Sequence, residues 1–301
     1  MTRWVAGRRY RPDRCSEAEW EALWAQGYRW IDEGTRRRLL DGPGLLTASR
    51  VERRAGSSWF HWVVLAEVDT TMRVARERLL AEGRPVAVVA DHQRQGRGRR
   101  GRGWAGIPGG SLALSLGWAP PGGGIEGPLT LAVGVAAAAA VERTTGVRLG
   151  LKWPNDGMVG ERKAMGILAE AGHDASPWVV VGIGINVNGS PPPEAPEATT
   201  LEAAAGRPFD RADLAVAVAA AVAEVAQSWS AVEARTRWLA AWRERSLTLG
   251  RPVRVVEADR SWVGFAEDVD ADGALLVRRD DGTRVPVYAG DVSLRPAPAA
   301  G

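Results

Sequence analysis

The sequence predicts an α+β fold: a central mixed sheet with helices packed on it, followed by a small β-barrel. Three observations carry that expectation. Apolar, β-branched runs of strand length recur between residues 59 and 185, separated by segments of helical period. One of those segments, Pro128 to Val141, is rich enough in Ala to pack closely on a sheet. Beyond Gly250 the pattern changes to short alternating strands, with turns at Asp272-Gly273 and Asp281-Gly282.

The elements follow in order. Residues 1–44 read as an N-terminal extension with one short amphipathic helix. Ser16 and Glu19 form a capping box there, ahead of an apolar stripe of Trp20, Leu23 and Trp24 that could pack on the next domain. Arg36, Arg37 and Arg38 form a small basic run. Leu46, Ala48 and Val51 hint at a second helix, and Trp59 to Glu67 reads as a strand. A helix follows from Thr71 to Ala81, with Thr70 or Thr71 near its N-cap, then a buried-type strand from Val86 to Ala90. An Arg/Gly segment from Gln93 to Gly103 precedes the strand Ser111 to Leu116. After the Ala-rich helix, strand signals lie at Leu149 to Lys152, Lys163 to Glu170 and Trp178 to Ile185. The Pro-rich stretch 189–198 reads as a surface loop, and Leu214 to Trp229 and Val232 to Trp242 as helices. The chain thus divides into an extension (1–44), a main domain (45–248) and the small β-module (249–301).

Composition narrows the class. The 301 residues are 45% hydrophobic and 25% charged, which excludes a disordered or fibrous chain. The longest apolar run, Leu131 to Val141, is too short to span a bilayer, and no basic-then-apolar leader opens the sequence. A single Cys15 excludes an internal disulfide and a cysteine-built zinc cage. A cytoplasmic protein without membrane association is expected. Of the 39 basic residues only two are lysines, Lys152 and Lys163, and the only asparagines are Asn155, Asn186 and Asn188. All five fall between 152 and 188. A chain that uses Arg wherever it can has placed its ammonium groups and carboxamides in one segment, where a guanidinium would not substitute.

Four blocks carry chemistry. In Gln93 to Trp104, five arginines (Arg94, Arg97, Arg99, Arg100 and Arg102) fall within nine residues with no acid among them. The interleaved glycines let the backbone approach an anion, and the guanidinium groups can fork onto its oxygens. A solvated basic loop and an RGG-like nucleic-acid tract compete with that reading. The position between two apolar strands favours an ordered loop over a small anionic ligand. The second block is Lys152-Trp153-Pro154-Asn155-Asp156, which alone could be a turn. The third is Arg162-Lys163 followed by Gly166-Ile167-Leu168, where Gly166 allows close approach to a strand. The fourth is Gly182-Ile183-Gly184-Ile185-Asn186, a strand ending in a carboxamide.

On these four blocks, from Glu67 through the C-terminal module, the chain resembles the biotin protein ligases, also called biotin–[acetyl-CoA-carboxylase] ligases. The resemblance covers roughly residues 45–296 and implies a class II synthetase-like catalytic domain with an SH3-like β-barrel behind it. It implies ATP and biotin as substrates, with Mg²⁺. Biotin would be activated as biotinyl-5′-AMP and passed to a lysine of a biotin carboxyl carrier protein of acetyl-CoA carboxylase or a related carboxylase. Lys163 and Arg99 would be the catalytic pair, Lys163 contacting the biotin carboxylate and the α-phosphate together. Thr70, Thr71 and Gln93 would bond the ureido ring, Gly96, Arg97, Gly98 and Arg99 would close over the adduct, and Gly166 would line the biotin pocket. Arg99, Arg102, Trp104, Asn155, Lys163 and Asn186 would surround the nucleotide. Asp156 would either orient its neighbours or help hold the metal.

Two departures stand out. The family commonly has Ser-Thr-Asn where this chain has Thr70-Thr71-Met72, so a carboxamide is lost at Met72. Regulatory members carry a winged helix-turn-helix of about 60 residues, which 1–44 is too short to hold. That segment has nine arginines against seven acids, too mild an excess to imply DNA binding. The resemblance admits a homodimer. The rival enzyme reading is a lipoate or octanoate ligase-like acyl transferase. The rival of another class, a nucleic-acid-binding protein using the Arg/Gly loop, is disfavoured because 250–301 has nine acids against seven arginines.

Overall fold

The computed structural model describes residues 9–11, 13, 15–25, 29–41, 45–120, 128–174, 176–191, 195–256, 261–288 and 291–294. Residues 42–44, at the end of the extension, and Pro192, Pro193 and Glu194 of the 189–198 loop lie outside them.

The extension holds more than the single helix its sequence suggests. Strand β1 (Arg9–Tyr10), helix α1 (Glu17–Ala25), β2 (Arg29–Glu33) and β3 (Arg36–Asp41) form a helix beside an antiparallel sheet of order β1-β3-β2. The basic run concealed β3, because its cations are absorbed rather than solvated. The Arg37 guanidinium lies 4.9 Å from the Trp20 ring centre and 5.6 Å from that of Trp30, and pairs with Asp32 at 3.0 Å. Arg38 pairs with Glu33 at 2.6 Å. The capping box is present: the Ser16 amide donates to Glu19 Oε2 at 2.7 Å, and the Glu19 amide to Ser16 Oγ at 3.3 Å. The apolar stripe packs chiefly within this module, meeting only Leu45 from the start of the main domain in the core that it shares. Trp20 joins Tyr10, Leu39 and Leu45 in a separate small core, while Trp24, half exposed, meets Trp30 edge-on.

The main domain runs α2 (Ala48–Ala55), β4 (His61–Val68), α3 (Thr71–Glu82), β5 (Val86–Gln93), β6 (Gly96–Arg97), β7 (Gly103–Trp104), β8 (Ser111–Trp118), α4 (Leu129–Thr145), β9 (Gly150–Lys152), β10 (Asp156–Val159), β11 (Arg162–His173), β12 (Pro177–Asn186), α5 (Leu201–Ala205), α6 (Arg211–Ser228) and α7 (Val232–Arg245). Seven strands pair in the order β4-β5-β8-β12-β11-β10-β9. Only β4 and β5, joined through α3, are parallel, so the sheet is mixed. Besides the two-residue strands β6 and β7 within the Arg/Gly segment, two short elements escaped the sequence reading: β10, whose start looked like a turn, and α5, capped where Thr200 Oγ1 accepts from the Ala203 amide at 3.1 Å.

Strand alternation decides what each sheet face becomes. On one face Leu112, Leu114, Leu116 and Trp118 of β8, Val179, Val181, Ile183 and Ile185 of β12, and Met165 and Ile167 of β11 enter the main core with α4 and α6. In α4 the buried Ala132, Gly134, Ala136, Ala137, Ala138 and Ala140 lie among Leu and Val side chains, and these small residues let it pack close to its neighbours. The opposite face of the same strands carries Ser111, Ala113, Ser115, Gly166, Gly182, Gly184 and Asn186. Small residues there leave a trough. Helix α3 covers only one end of it, through Met72, Ala75 and Leu79.

Helix α2 is tied to the start of α6 by Arg50 and Arg54, which reach Asp210 at 2.7 and 2.9 Å. Asp210 also caps α6, its Oδ1 accepting from the Ala212 amide at 2.8 Å. Burial pushes the Asp210 carboxyl up, but Arg50, the cap amide and the charge of Arg54 outweigh it and hold the group below the usual carboxylate range. A depressed carboxylate contributes stability above its unfolded pKa and loses it as pH falls through the folded one, so this tie weakens only in acid. Asp210→Ala, which removes cap and ion pairs together, is expected to cost about 1–2 kcal/mol in denaturant melts at neutral pH. The loss should shrink as pH drops below the carboxylate range.

Beyond Gly250, β13 (Arg251–Val256), β14 (Ser261–Val269), β15 (Leu275–Arg278), β16 (Arg284–Val287) and β17 (Asp291–Leu294) form an antiparallel sheet ordered β16-β15-β14-β13-β17. Among the described residues β16 and β17 lie at its edges without pairing to each other, so closure of the expected small barrel is not shown. Trp153 Nε1 donates to the Gly273 carbonyl at 3.0 Å, joining this module to the Lys152–Asp156 block. No described helix is long and apolar enough to cross a membrane.

Candidate active site

The trough opens into a cavity of about 750 Å³, and it gathers the site residues that the family resemblance implies. Thr70, Thr71, Gln93, Gly96, Arg97, Gly98, Arg99, Arg102, Trp104, Asn155, Asp156, Lys163, Gly166 and Asn186 all line it. They come from five separate stretches of chain. Ser115, Met72, Gly182 and Gly184 line it as well; the two glycines belong to the fourth sequence block, without a role assigned there, whereas Ser115 belongs to no motif. For Ser115 the only signal is the alternation of small with large residues along β8, which becomes legible once the register is known.

At one end a polar cluster closes the cavity. Gln93 Oε1 accepts from the Thr71 amide at 2.8 Å and from the Thr71 hydroxyl at 3.0 Å. Thr70 occupies the N-cap position of α3 without a side-chain cap bond, so Gln93 supplies the acceptor instead. The Thr71 and Ser115 hydroxyls lie 2.7 Å apart, and both residues are buried. Since the Thr71 proton goes to Gln93, Ser115 is the donor in that pair.

The floor is built from glycine. Gly166 and Gly184 face each other across β11 and β12, and the Trp104 indole lies over both. A Cβ at Gly166 would stand 2.8 Å from the indole, and one at Gly184 2.5 Å from it. Trp104 Nε1 is buried there without a hydrogen-bond partner. Met72, the departure from the family pattern, lies over Gly182, where a Cβ would come within 2.8 Å of its sulfur. It forms an apolar wall.

The Arg/Gly segment is an ordered hairpin over this floor. Strands β6 and β7 pair Gly96 with Trp104 and Arg97 with Gly103, and the Gly98 amide donates to the Arg102 carbonyl at 2.7 Å. Arg100 has a left-handed backbone, φ 54, ahead of Gly101 at φ 71, which turns the chain sharply between the strands. Gly96 cannot carry a side chain, since a Cβ would lie 2.3 Å from the Trp104 carbonyl.

The other end is cationic. Lys163 Nζ lies 2.5 Å from Asp156 Oδ1 and 5.5 Å from the Trp104 ring centre. Its backbone is fixed on both sides, its amide donating to the Glu197 carbonyl at 3.1 Å and its carbonyl accepting from the Thr199 amide at 2.8 Å. Asn155 bridges the loops: its Nδ2 donates to the Ile167 carbonyl at 2.7 Å, and its Oδ1 accepts from Arg99 at 3.4 Å. Five cationic side chains line the cavity, Arg94, Arg97, Arg99, Arg102 and Lys163, against the carboxylates of Asp156 and Glu197. Such a site attracts and neutralises anions. Lys152, the second lysine, is not among the lining residues.

Comparison with known proteins matches this architecture. Residues 64–188 match the model of the Biotin/lipoate A/B protein ligase family, and 248–295 that of the biotin protein ligase C-terminal domain. The biotin–[acetyl-CoA-carboxylase] ligase of Mycobacterium tuberculosis is 37% identical over 247 residues, covering 79% of this chain and 90% of that protein. The bifunctional ligase/repressor BirA of Bacillus subtilis is 31% identical over 288 residues, covering 92% of this chain and 85% of that protein. Among solved structures, the biotin protein ligase of Aquifex aeolicus in complex with biotin and ATP superposes with a TM-score of 0.69 at 30% identity, over 79% of this chain and 99% of that one. With a relative at this identity covered almost end to end, and with both family domains in place, the chain belongs to the biotin protein ligase family.

Proposed function

We propose that this protein activates biotin with ATP and transfers it to a lysine of a biotin carboxyl carrier protein of a carboxylase. The carrying observation is the polarity of one continuous cavity: a buried hydroxyl–carboxamide cluster at one end, a glycine floor, and a cationic end around Lys163. Along β8 the distance from Ser115 to Ser111 is four residues, about 14 Å, so the ends are separate subsites on one axis. The cluster of Thr71, Gln93 and Ser115 keeps both donors and acceptors, which suits the cyclic urea of biotin, with Thr70 beside it. The apolar wall of Met72 and the glycine floor suit its thioether ring and chain.

In the first step a biotin carboxylate oxygen attacks the α-phosphorus of ATP, and the bond to pyrophosphate breaks. Two anions meet, so the reaction needs positive charge at the point of attack. Lys163 supplies it, oriented by Asp156. Arg97, Arg99 and Arg102 bring the hairpin down over the adduct, with Gly96 and Gly98 allowing the close approach and Trp104, Asn155 and Asn186 flanking the nucleotide. Excluding water matters because an exposed acyl-adenylate hydrolyses. In the second step the carrier amine attacks the acyl carbon, AMP leaves, and the amine loses a proton.

Mg²⁺ enters with ATP as part of the substrate. Among the described residues no three His, Cys, Asp or Glu side chains gather to hold a metal, and Asp156 is engaged by Lys163, so no step is routed through the ion. Asp156 is assigned to positioning. Helix α1 exposes Glu17, Glu19 and Glu21, a poor surface for reading DNA, so repression is not assigned to this chain.

Calorimetric titration tests the reading against its lipoate rival. Biotin should bind the full chain without ATP, and lipoate, whose dithiolane cannot bond the buried cluster, should bind far more weakly. Equal binding of the two would turn the assignment to a lipoate ligase. Gly184→Ala is expected to displace the Trp104 indole and weaken biotin binding roughly tenfold, the cost of about 1–3 kcal/mol of overpacking. An unchanged affinity would remove the glycine floor from the biotin subsite.

A further inference from the structure

Asp91 and Arg211 form an ion pair with neither side chain exposed, 120 positions apart in the chain, and the steps above leave it without a task. A buried pair of this kind is seldom retained for stability, since apolar residues of similar volume serve as well. Position is the better explanation. Asp91 stands near the end of β5, and Arg211 opens α6. The second arm of the guanidinium donates to the Ser111 carbonyl at 3.1 Å, pinning the first residue of β8.

Ser111 is held on every polar atom. Its amide donates to the Ile107 carbonyl at 2.8 Å, and its hydroxyl oxygen accepts from the Ile107 amide at 2.8 Å. The hydroxyl proton is then directed to Asn186 Oδ1, 3.3 Å away on the paired strand. A carboxamide can face either way; here the Ser111 hydroxyl, whose oxygen already accepts from the Ile107 amide, donates to Oδ1. With Oδ1 engaged by Ser111, the Nδ2 donors are left for an acceptor in the cavity that Asn186 lines.

We propose that Ser111, pinned by the Asp91–Arg211 pair, is a positioning residue that fixes the Asn186 carboxamide with its donors toward the nucleotide. The proposal rests on the reading of this end of the cavity as the ATP subsite. It is tested by biotin-dependent pyrophosphate release from the full chain, varying ATP and biotin in turn. Ser111→Ala should raise KM for ATP about fivefold, the scale of one lost hydrogen bond, and leave KM for biotin within about twofold. Ser111→Thr keeps the hydroxyl and should restore KM for ATP. An alanine variant with KM for ATP unchanged, or with both KM values raised alike, overturns the proposal. So does a folded threonine variant as impaired as the alanine one, which would make volume rather than the hydroxyl decisive. Absence of pyrophosphate release from the parent protein would instead overturn the underlying assignment of function.

Discussion

Replacing Lys163 with alanine is expected to slow biotinyl-adenylate formation by a factor of hundreds while the protein stays folded. Lys163 is the cavity's lysine, held by its backbone to residues 197 and 199 and by its ammonium to Asp156. Loss of one preorganised donor at a developing charge costs about 2.7–4 kcal/mol of transition-state stabilisation. Its side chain is partly exposed and contributes little to the core, so the melting curve should barely move. Arginine at this position should not rescue, because a planar fork cannot place a point charge between two oxygens in the space beside Trp104. Pyrophosphate release by the alanine variant at near the parental rate would remove Lys163 from the chemistry.

Arg99→Gly should fail at a different stage. Arg99 ties the hairpin to Asn155, which is itself fastened to β11. Without that tie the hairpin closes less tightly, and the adduct escapes faster than it is transferred. Adenylate should still form. The half-life of bound biotinyl-AMP, followed by filter retention, is expected to fall by at least tenfold, and added bystander proteins should become biotinylated on their lysines. A variant that keeps its adenylate as long as the parent does would show that the hairpin is not the closing element.

Much of the site was legible in the sequence because its residues are outliers of composition. In a chain with two lysines and three asparagines, Lys163, Asn155 and Asn186 stand out before any fold is known. The Arg/Gly block stands out in the same way. The supporting residues were not legible because they are ordinary types made important by register. Ser115 matters only once β8 and β12 are aligned, which also turns Gly182 and Gly184 of the fourth block into a floor, and Asp91 and Arg211 matter only once β5 and α6 meet. The fold followed the same division. Long, strongly apolar strands and the alanine-rich helices were readable from period alone. Strand β3 was hidden because its arginines stack on tryptophans and pair with acids, and β10 because four residues set no period. The strands of the expected barrel pair as a sheet whose closure is not shown among the described residues, and hairpin turns report neighbouring strands and say nothing of closure.

The most direct test of the account is a single incubation of the full chain with biotin, ATP labelled at the α-phosphate, and a biotin carboxyl carrier domain. The account predicts labelled biotinyl-AMP and pyrophosphate before the carrier is added, then AMP release matched by one biotinyl-lysine per carrier. Folded protein that releases no pyrophosphate in response to biotin, or that forms the adenylate of lipoate as readily, would contradict it.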